Sequence, residues 1–276
     1  MSLENYKDFI TWVNDPDDNQ KYDTIYYIYD MDIKMIVPIY LELENIQYDQ
    51  DVTAEPITEN KTDPLDFLKY GFYINLKERE DRKENLISNF KSLDIPTLLM
   101  THIDAKKHHY GAIGCYLSHI HCLHKAKENG YDHVLICEDD IQFTNVTVLK
   151  QQLRKIISNI KNWDVIMLAS NIIRAEKIAN IKYCARVTMG MCATGYIVKS
   201  HYYDKLLHNF HEGIQKLFKQ PKMTSRYAVD VYWNSLQKND IWIIPLPLTV
   251  TQLSSYSNIE NRYVNYDPFM LKRINL

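Results

Sequence analysis

Three consecutive carboxylates, Glu138, Asp139 and Asp140, close the apolar run Val134-Leu-Ile-Cys137. Adjacent anions repel one another, and a cation relieves the repulsion. Hard oxygen donors of this kind suit Mg2+ or Mn2+. An ion held there can bridge two phosphates of a nucleotide and neutralise the charge that builds on a leaving diphosphate. In an open α/β sheet the carboxyl ends of the strands face the ligand crevice, so acids at such an end lie where a substrate binds. The same spacing also fits a solvated acidic turn after a strand.

Two other segments carry groups suited to a ligand. Tyr73-Ile74-Asn75-Leu76 is followed by Lys77, Arg79 and Arg82. Strand, basic turn and helix in that order offer cations and helix N-terminal amides to a phosphate or nucleotide. A solvated helix start, with Glu78, Glu80 and Asp81 as ion partners, fits the same residues. In Gly111-Ala-Ile-Gly114-Cys115-Tyr-Leu-Ser118-His119 the glycines let the backbone turn tightly into a helix that presents Ser118 and His119. The spacing is not that of a dinucleotide-binding loop.

Seven of the ten histidines fall between His102 and His133. H-E-x-x-H is absent and His119, His121 and His124 do not share one helical face, so the cluster does not read as a zinc site. His119 stands apart as a polar contact to a substrate or to the acids. Cys115 and Cys122, seven apart on the same helix, read as small core residues rather than nucleophiles.

The elements that must position these groups are legible as a repeated order of apolar strand, amphipathic segment and apolar strand, the pattern of an α/β domain with a mostly parallel sheet. Strands are expected at 71–76, 97–103, 133–137, 163–168, 193–198 and 241–244. Between them, 80–93 places Leu86, Ile87, Phe90 and Leu93 on one helical stripe, and 114–129 does the same with Leu117, Ile120, Leu123 and Ala126, Gly130 following as a cap. Residues 51–66, polar and with two prolines, read as a linker. Before it, 24–43 is rich in Tyr and Ile and resembles two strands and a turn. The expected division is an N-terminal extension over 1–65 and a catalytic-type domain over 66–276. The extension is a candidate for covering a sheet edge, for a homo-oligomer contact or for recognition of an acceptor.

At 276 residues, 46% apolar and 24% charged, the chain can bury a large core. No apolar run is long enough to cross a bilayer. A formal net charge of -3 gives no global attraction to nucleic acid or to an anionic membrane, so nucleic acid is not an expected partner. Five cysteines without C-x-x-C spacing argue against a disulfide framework and against structural zinc. The first twenty residues lack the pattern of a secretory signal, so a cytoplasmic or other reducing compartment is expected.

Three segments together, GFYINLKEREDRKENL, GAIGCYLSHIHCLHKAKENGYDHVLICEDDIQF and ATGYIVKSHYYDKLL, resemble glycosyltransferase family 25. That family includes bacterial lipopolysaccharide and lipooligosaccharide galactosyltransferases and the galactosyltransferases that modify hydroxylysine in collagen. The resemblance runs from about Tyr70 to Glu260. It implies a GT-A type nucleotide-sugar-binding fold and an inverting transfer of a hexose from a UDP-sugar to a glycan or protein hydroxyl. Galactose is the favoured sugar, glucose is allowed, and the implied cofactor is Mn2+ or Mg2+.

Residue by residue, the family's I-N-L and following arginine match Ile74, Asn75, Leu76 and Arg82, placing them, with Arg79, beside the nucleotide. Its G-C-x-L-S-H segment matches Gly114, Cys115, Leu117, Ser118 and His119. Its E-D-D signature matches Glu138, Asp139 and Asp140 as metal ligands, with Asp139 also on the nucleotide side. Val229-Asp230 resembles the apolar-Asp element, and Asp230 is the candidate base, a structural acid being the alternative. Gln252, Ser255 and Ser257-Asn-Ile259 resemble its Q-x-x-S-D-I ending, with Asn258 where the family has an acid. Lys216, Lys219, Lys222 and Arg226 flank Pro221 either as a loop over the diphosphate or as a solvated basic face. Two other readings remain: a catalytically silent glycan- or protein-binding member, and a metal-dependent nucleotidyl or phosphoryl transferase.

Overall fold

A computed structural model describes residues 63–257 and 262–274, together with the backbone of two strands at 24–30 and 35–41. These two, β1 (Thr24–Asp30) and β2 (Met35–Leu41), pair antiparallel, as the Tyr- and Ile-rich stretch suggested. The remainder of the N-terminal extension, most of the linker and Asn258 lie outside the described residues.

The strands of the core are β3 (Tyr70–Asn75), β4 (Leu99–Asp104), β5 (His133–Glu138), β7 (Val165–Met167), β8 (Asn171–Ile178), β9 (Ile181–Met191), β10 (Gly195–Lys199) and β11 (Trp242–Pro245). They form an eight-stranded sheet in the order β4-β3-β5-β10-β7-β11-β9-β8. β3 is parallel to both β4 and β5, and β7 is parallel to β11. β10 runs against β5 and β7, and β9 runs against β11 and β8. Six strands therefore share one direction, and the α/β reading with a mostly parallel central sheet holds.

Alternation along the strands builds two cores. Phe72, Ile74, Val134, Ile136, Tyr196 and Val198 point to one face and Tyr73, Leu135, Cys137 and Ile197 to the other. The first face is covered by helices α2 (Gly111–Glu128) and α4 (Tyr203–Lys219), the second by α1 (Glu80–Leu93) and α3 (Val146–Asn159). The result is a sheet with a helical layer on each side. Each fully buried Leu, Ile or Phe contributes about 1.5–3 kcal/mol by leaving water.

Local sequence explains the helix limits next to the site. α1 ends at Asp94, whose φ of 46° and N–H bond to the Phe90 carbonyl reverse the chain. Gly130, at φ 65°, turns the chain after α2, where Tyr131 N–H returns to the Ala126 carbonyl. Gly114 is required by close approach: a Cβ there would lie 2.3 Å from the Lys106 carbonyl oxygen.

β6 (Ile141–Phe143) leaves the acids and pairs antiparallel with β12 (Val250–Gln252), setting Gln252 opposite Ile141. A short hairpin, β13 (Ser255–Ser257) with β14 (Arg262–Val264), follows. No described helix is long and apolar enough to cross a membrane.

Candidate active site

β3, β4 and β5 end side by side, with Asn75 in register with Asp104 and Ile74 with Glu138. The reversed strand β10 begins beside the end of β5, where Glu138 N–H bonds the Thr194 carbonyl at 2.9 Å. The acids thus sit at the carboxyl edge of the sheet, between α1, the first turns of α2 and the β12–β13 segment.

Each acid has its own partners. Asp139, 7% exposed, accepts from Arg82 Nη1 at 2.8 Å on Oδ1 and from Asn75 Nδ2 at 2.8 Å on Oδ2. Asp140 accepts from the Thr194 hydroxyl on Oδ1 and from Gln252 Nε2 at 3.1 Å on Oδ2, with Arg82 Nη1 3.7 Å away. Glu138 Oε1 receives two groups from α2, His119 Nε2 at 3.1 Å and the Cys115 thiol at 3.4 Å. Cys115 and His119 are one turn apart, so the helix aims both at the end of β5. The other ring nitrogen of His119 meets Tyr196 Oη at 3.0 Å.

The electrostatics record an excess of negative charge. Burial, then Glu138, then Asp139 push Asp140 up to about 7, against the opposing bond from Thr194 and the charge of Arg82. Burial likewise raises Asp139, with Arg82 and Asn75 opposing it. Burial also works to raise Glu138, but the bond and charge of His119 outweigh it and hold its carboxyl below the ordinary value. Among the described residues, Arg82 is the guanidinium in contact with the trio.

The sequence-selected residues divide by what they touch. Arg82 ties the acids to the hairpin, bonding the Ser255 hydroxyl at 2.6 Å and the Tyr256 carbonyl at 3.0 Å. Asn75 also bonds the Arg79 carbonyl at 3.0 Å, which closes the turn into α1. The Arg79 guanidinium faces Asp81 at 3.0 Å rather than the acids. Ile74 is 7% exposed and belongs to the core, whereas Leu76 is half-buried. Ser118 is committed to the backbone, donating to the Gly114 carbonyl and accepting from Lys106 N–H, both at 2.8 Å. Lys216 in the basic segment pairs with Glu212 at 2.9 Å and bonds Tyr232.

Asp230 begins the short helix Val229–Tyr232 and accepts from Cys192 N–H at 2.9 Å. Burial raises its carboxyl, and the charge of Glu138 adds to that, so it shares the field of the acid trio. Cys192 holds this N–H with φ 94°, a left-handed conformation uncommon outside glycine.

Sequence reasoning missed Thr194 and Tyr196, which lie on or beside a strand it identified but whose roles need β10 to run against β5. It read Cys115 as a small core residue; the side chain does pack against the core, and its thiol also meets Glu138. The spacing of Cys115, Ser118 and His119 at i, i+3 and i+4 was the available signal.

Residues 109–233 match the model of glycosyltransferase family 25, described as LPS biosynthesis protein. Procollagen galactosyltransferase 1 of Danio rerio is 21% identical over 218 residues, 66% of this chain and 35% of that protein. Procollagen galactosyltransferase 2 of Homo sapiens is 21% identical over 169 residues, 49% of this chain and 27% of that protein.

The family match and the curated relatives together support glycosyltransferase family 25.

It spans about a third of the length of the curated relatives it matches. The family 25 match holds Cys115, His119, the three acids and Asp230, while Asn75, Arg82, Gln252 and Ser255 lie outside it and join the site through the hydrogen bonds above. Among solved structures, a mannose-1-phosphate geranyltransferase of Thermus thermophilus aligns at TM-score 0.40 and 9% identity, covering 64% of this chain and 73% of that one. The glycosyltransferase GlyE of Streptococcus pneumoniae aligns at TM-score 0.39 and 10% identity, covering 63% and 44%. Likeness at that level carries no argument about chemistry.

Proposed function

We propose that this chain transfers a hexose, with galactose favoured, from a UDP-sugar to a hydroxyl of a glycan or of a hydroxylysine-like protein side chain, with inversion at the transferred carbon. The observation that carries the reading is the crowding of Glu138, Asp139 and Asp140 at the carboxyl end of β5 beside the Arg82 guanidinium. A carboxyl pushed up to about 7 by burial, and further by the charges of Glu138 and Asp139, belongs to a donor set that a divalent ion fits.

Glu138 and Asp140 are the ligands this reading assigns to Mn2+ or Mg2+, because the charge of Asp139 is already matched by the Arg82 guanidinium at 2.8 Å, whereas the partners bonded to Asp140, Thr194 and Gln252, are neutral. When bound, such an ion draws negative charge from the departing diphosphate. Arg82 and Asn75 keep Asp139 fixed at the nucleotide edge, and Gln252 and Thr194 orient Asp140. Asp230 takes the proton of the acceptor hydroxyl, a role that its raised affinity for a proton favours. The procollagen galactosyltransferase relatives support galactose and a protein acceptor.

A donor screen reading UDP release, followed by mass spectrometry of glycan and hydroxylysine-peptide acceptors, tests the reading. It predicts gain of one hexose on the acceptor with one UDP released. A nucleotide or phosphoryl group on the acceptor would instead support nucleotidyl or phosphoryl transfer.

A further inference from the structure

The ligand atoms of Cys115, His119 and Glu138 lie within 4.8 Å of one another, a convergence of sulfur, nitrogen and oxygen that the hard-ion reading does not use. The thiol at 3.4 Å and Nε2 at 3.1 Å both approach the same oxygen, Glu138 Oε1. We propose that these three residues form a binding site for a thiophilic divalent cation, Zn2+ or Co2+, set beside the oxygen site and sharing Glu138 with it.

Three features argue for it. The first is rigidity. Cys115 and His119 sit one turn apart on an eighteen-residue helix, and Glu138 ends a strand in the middle of the sheet, so the ligands are held by elements rather than by loops.

The second is orientation. Tyr196 Oη lies 3.0 Å from His119 Nδ1, and an Nδ1–H donated to that oxygen leaves the Nε2 lone pair aimed at the site. Zinc-bound histidines are held in this way by a partner on the far ring nitrogen. Tyr196 is fully buried on β10 and His119 is likewise fully buried, so the arrangement is fixed by packing.

The third is the donor set. One thiolate, one imidazole and one carboxylate, with an open fourth position, suit Zn2+ in tetrahedral coordination. Such a mixed set favours zinc over manganese by the ordinary order of divalent stabilities. Glu138 is 23% exposed at its side chain, which gives the ion and a fourth ligand a route from solvent.

Binding is a ligand exchange without a redox step. The Cys115 S–H bond breaks and its proton passes to water as a metal–sulfur bond forms, the proton that His119 Nε2 directs at Glu138 Oε1 likewise passes to water as a metal–nitrogen bond forms, and the Glu138 carboxylate binds as it is. The site does not depend on the sugar-transfer reading. If both readings hold, zinc engages Glu138 and opposes Mn2+ at the neighbouring position.

Co2+ titration of the full chain under reducing conditions tests the proposal without donor or acceptor. The expected result is a near-ultraviolet thiolate-to-cobalt charge-transfer band saturating at one equivalent and bleached by Zn2+. C115S should abolish the band and weaken Zn2+ at least about 100-fold, and Y196F should weaken Zn2+ about 10-fold or more. C122S, a buried thiol on the same helix, should leave the band intact. For the unmodified protein, one equivalent of Zn2+ should slow alkylation of Cys115 at least about tenfold as read by peptide mass spectrometry, with Mg2+ having no effect. That arm decides the matter if C115S does not fold. No band, a band that survives C115S, or alkylation of Cys115 indifferent to Zn2+ would overturn the proposal, and none of these outcomes bears on UDP-sugar binding.

Discussion

Replacing Arg82 by Met tests whether the guanidinium holds the acid edge together. Arg82 contacts Asp139 at 2.8 Å, Ser255 at 2.6 Å and the Tyr256 carbonyl at 3.0 Å. The side chains of Arg82 and Asp139 are only 12% and 10% exposed, so solvent screens the pair little. Removing one member of such a pair leaves an uncompensated buried charge, which costs about 3–5 kcal/mol. Against a whole-domain stability of about 5–15 kcal/mol, that is a large fraction. Urea unfolding at pH 7, followed by tryptophan fluorescence, should therefore show R82M less stable by about 3–5 kcal/mol.

Adding D139N should recover part of that loss, with a coupling energy of about 1.5 kcal/mol or more in the double-mutant cycle. The sign of the pH effect is fixed. Asp139 already has a raised carboxyl, and loss of Arg82 raises it further. Acidification, by protonating Asp139, should thus shrink the deficit of R82M, and alkali should not. A loss below about 1 kcal/mol, the scale of an exposed ion pair, or strict additivity in the cycle would refute the reasoning.

Other perturbations have equally definite outcomes. With Asp140 pushed up to about 7, ion binding displaces a proton, so apparent Mn2+ affinity by calorimetry should fall by up to about tenfold per pH unit below 7 and flatten above it. For the metal-free protein the linkage has the opposite sense: the folded-state value lies above the unfolded one, so stability contributed at low pH is lost as pH rises through about 7. G114A places a Cβ 2.3 Å from the Lys106 carbonyl oxygen, a backbone atom that cannot rotate away, and thermal melts should show a loss of about 1–3 kcal/mol. D230N should lower kcat about 10²–10⁴-fold with little change in donor KM if Asp230 is the base. An equal loss in a denaturation assay would mark it instead as the structural partner of Cys192 N–H.

How much of this was legible in the sequence follows from what each signal encodes. The stripe Leu86, Phe90 and Leu93 gave α1 its limits because one apolar face against polar residues has a single solution. The buried runs of β3 and β5 stood out for the same reason. The β8–β9 hairpin did not, since Asn171–Ile178 is half exposed and offers no clean period. Strand direction was also hidden. Gly195–Lys199 is an apolar run like its neighbours, and nothing in its residues says that it runs against β5. That reversal is what sets Thr194 on Asp140 and Tyr196 on His119. The carboxylates themselves announced the site, whereas a threonine and a tyrosine more than fifty residues later are too ordinary in type to do so.

The claim on which the account turns is that Glu138 and Asp140 hold a divalent ion against the diphosphate of a sugar nucleotide. Calorimetric titration of the protein with UDP in Mn2+ and in excess chelator measures this directly. The account predicts an affinity at least about 100-fold higher with Mn2+, about 2.7 kcal/mol, and loss of that difference in D140A. Equal affinity with and without the ion, or a Mn2+ dependence unchanged in D140A, would contradict it.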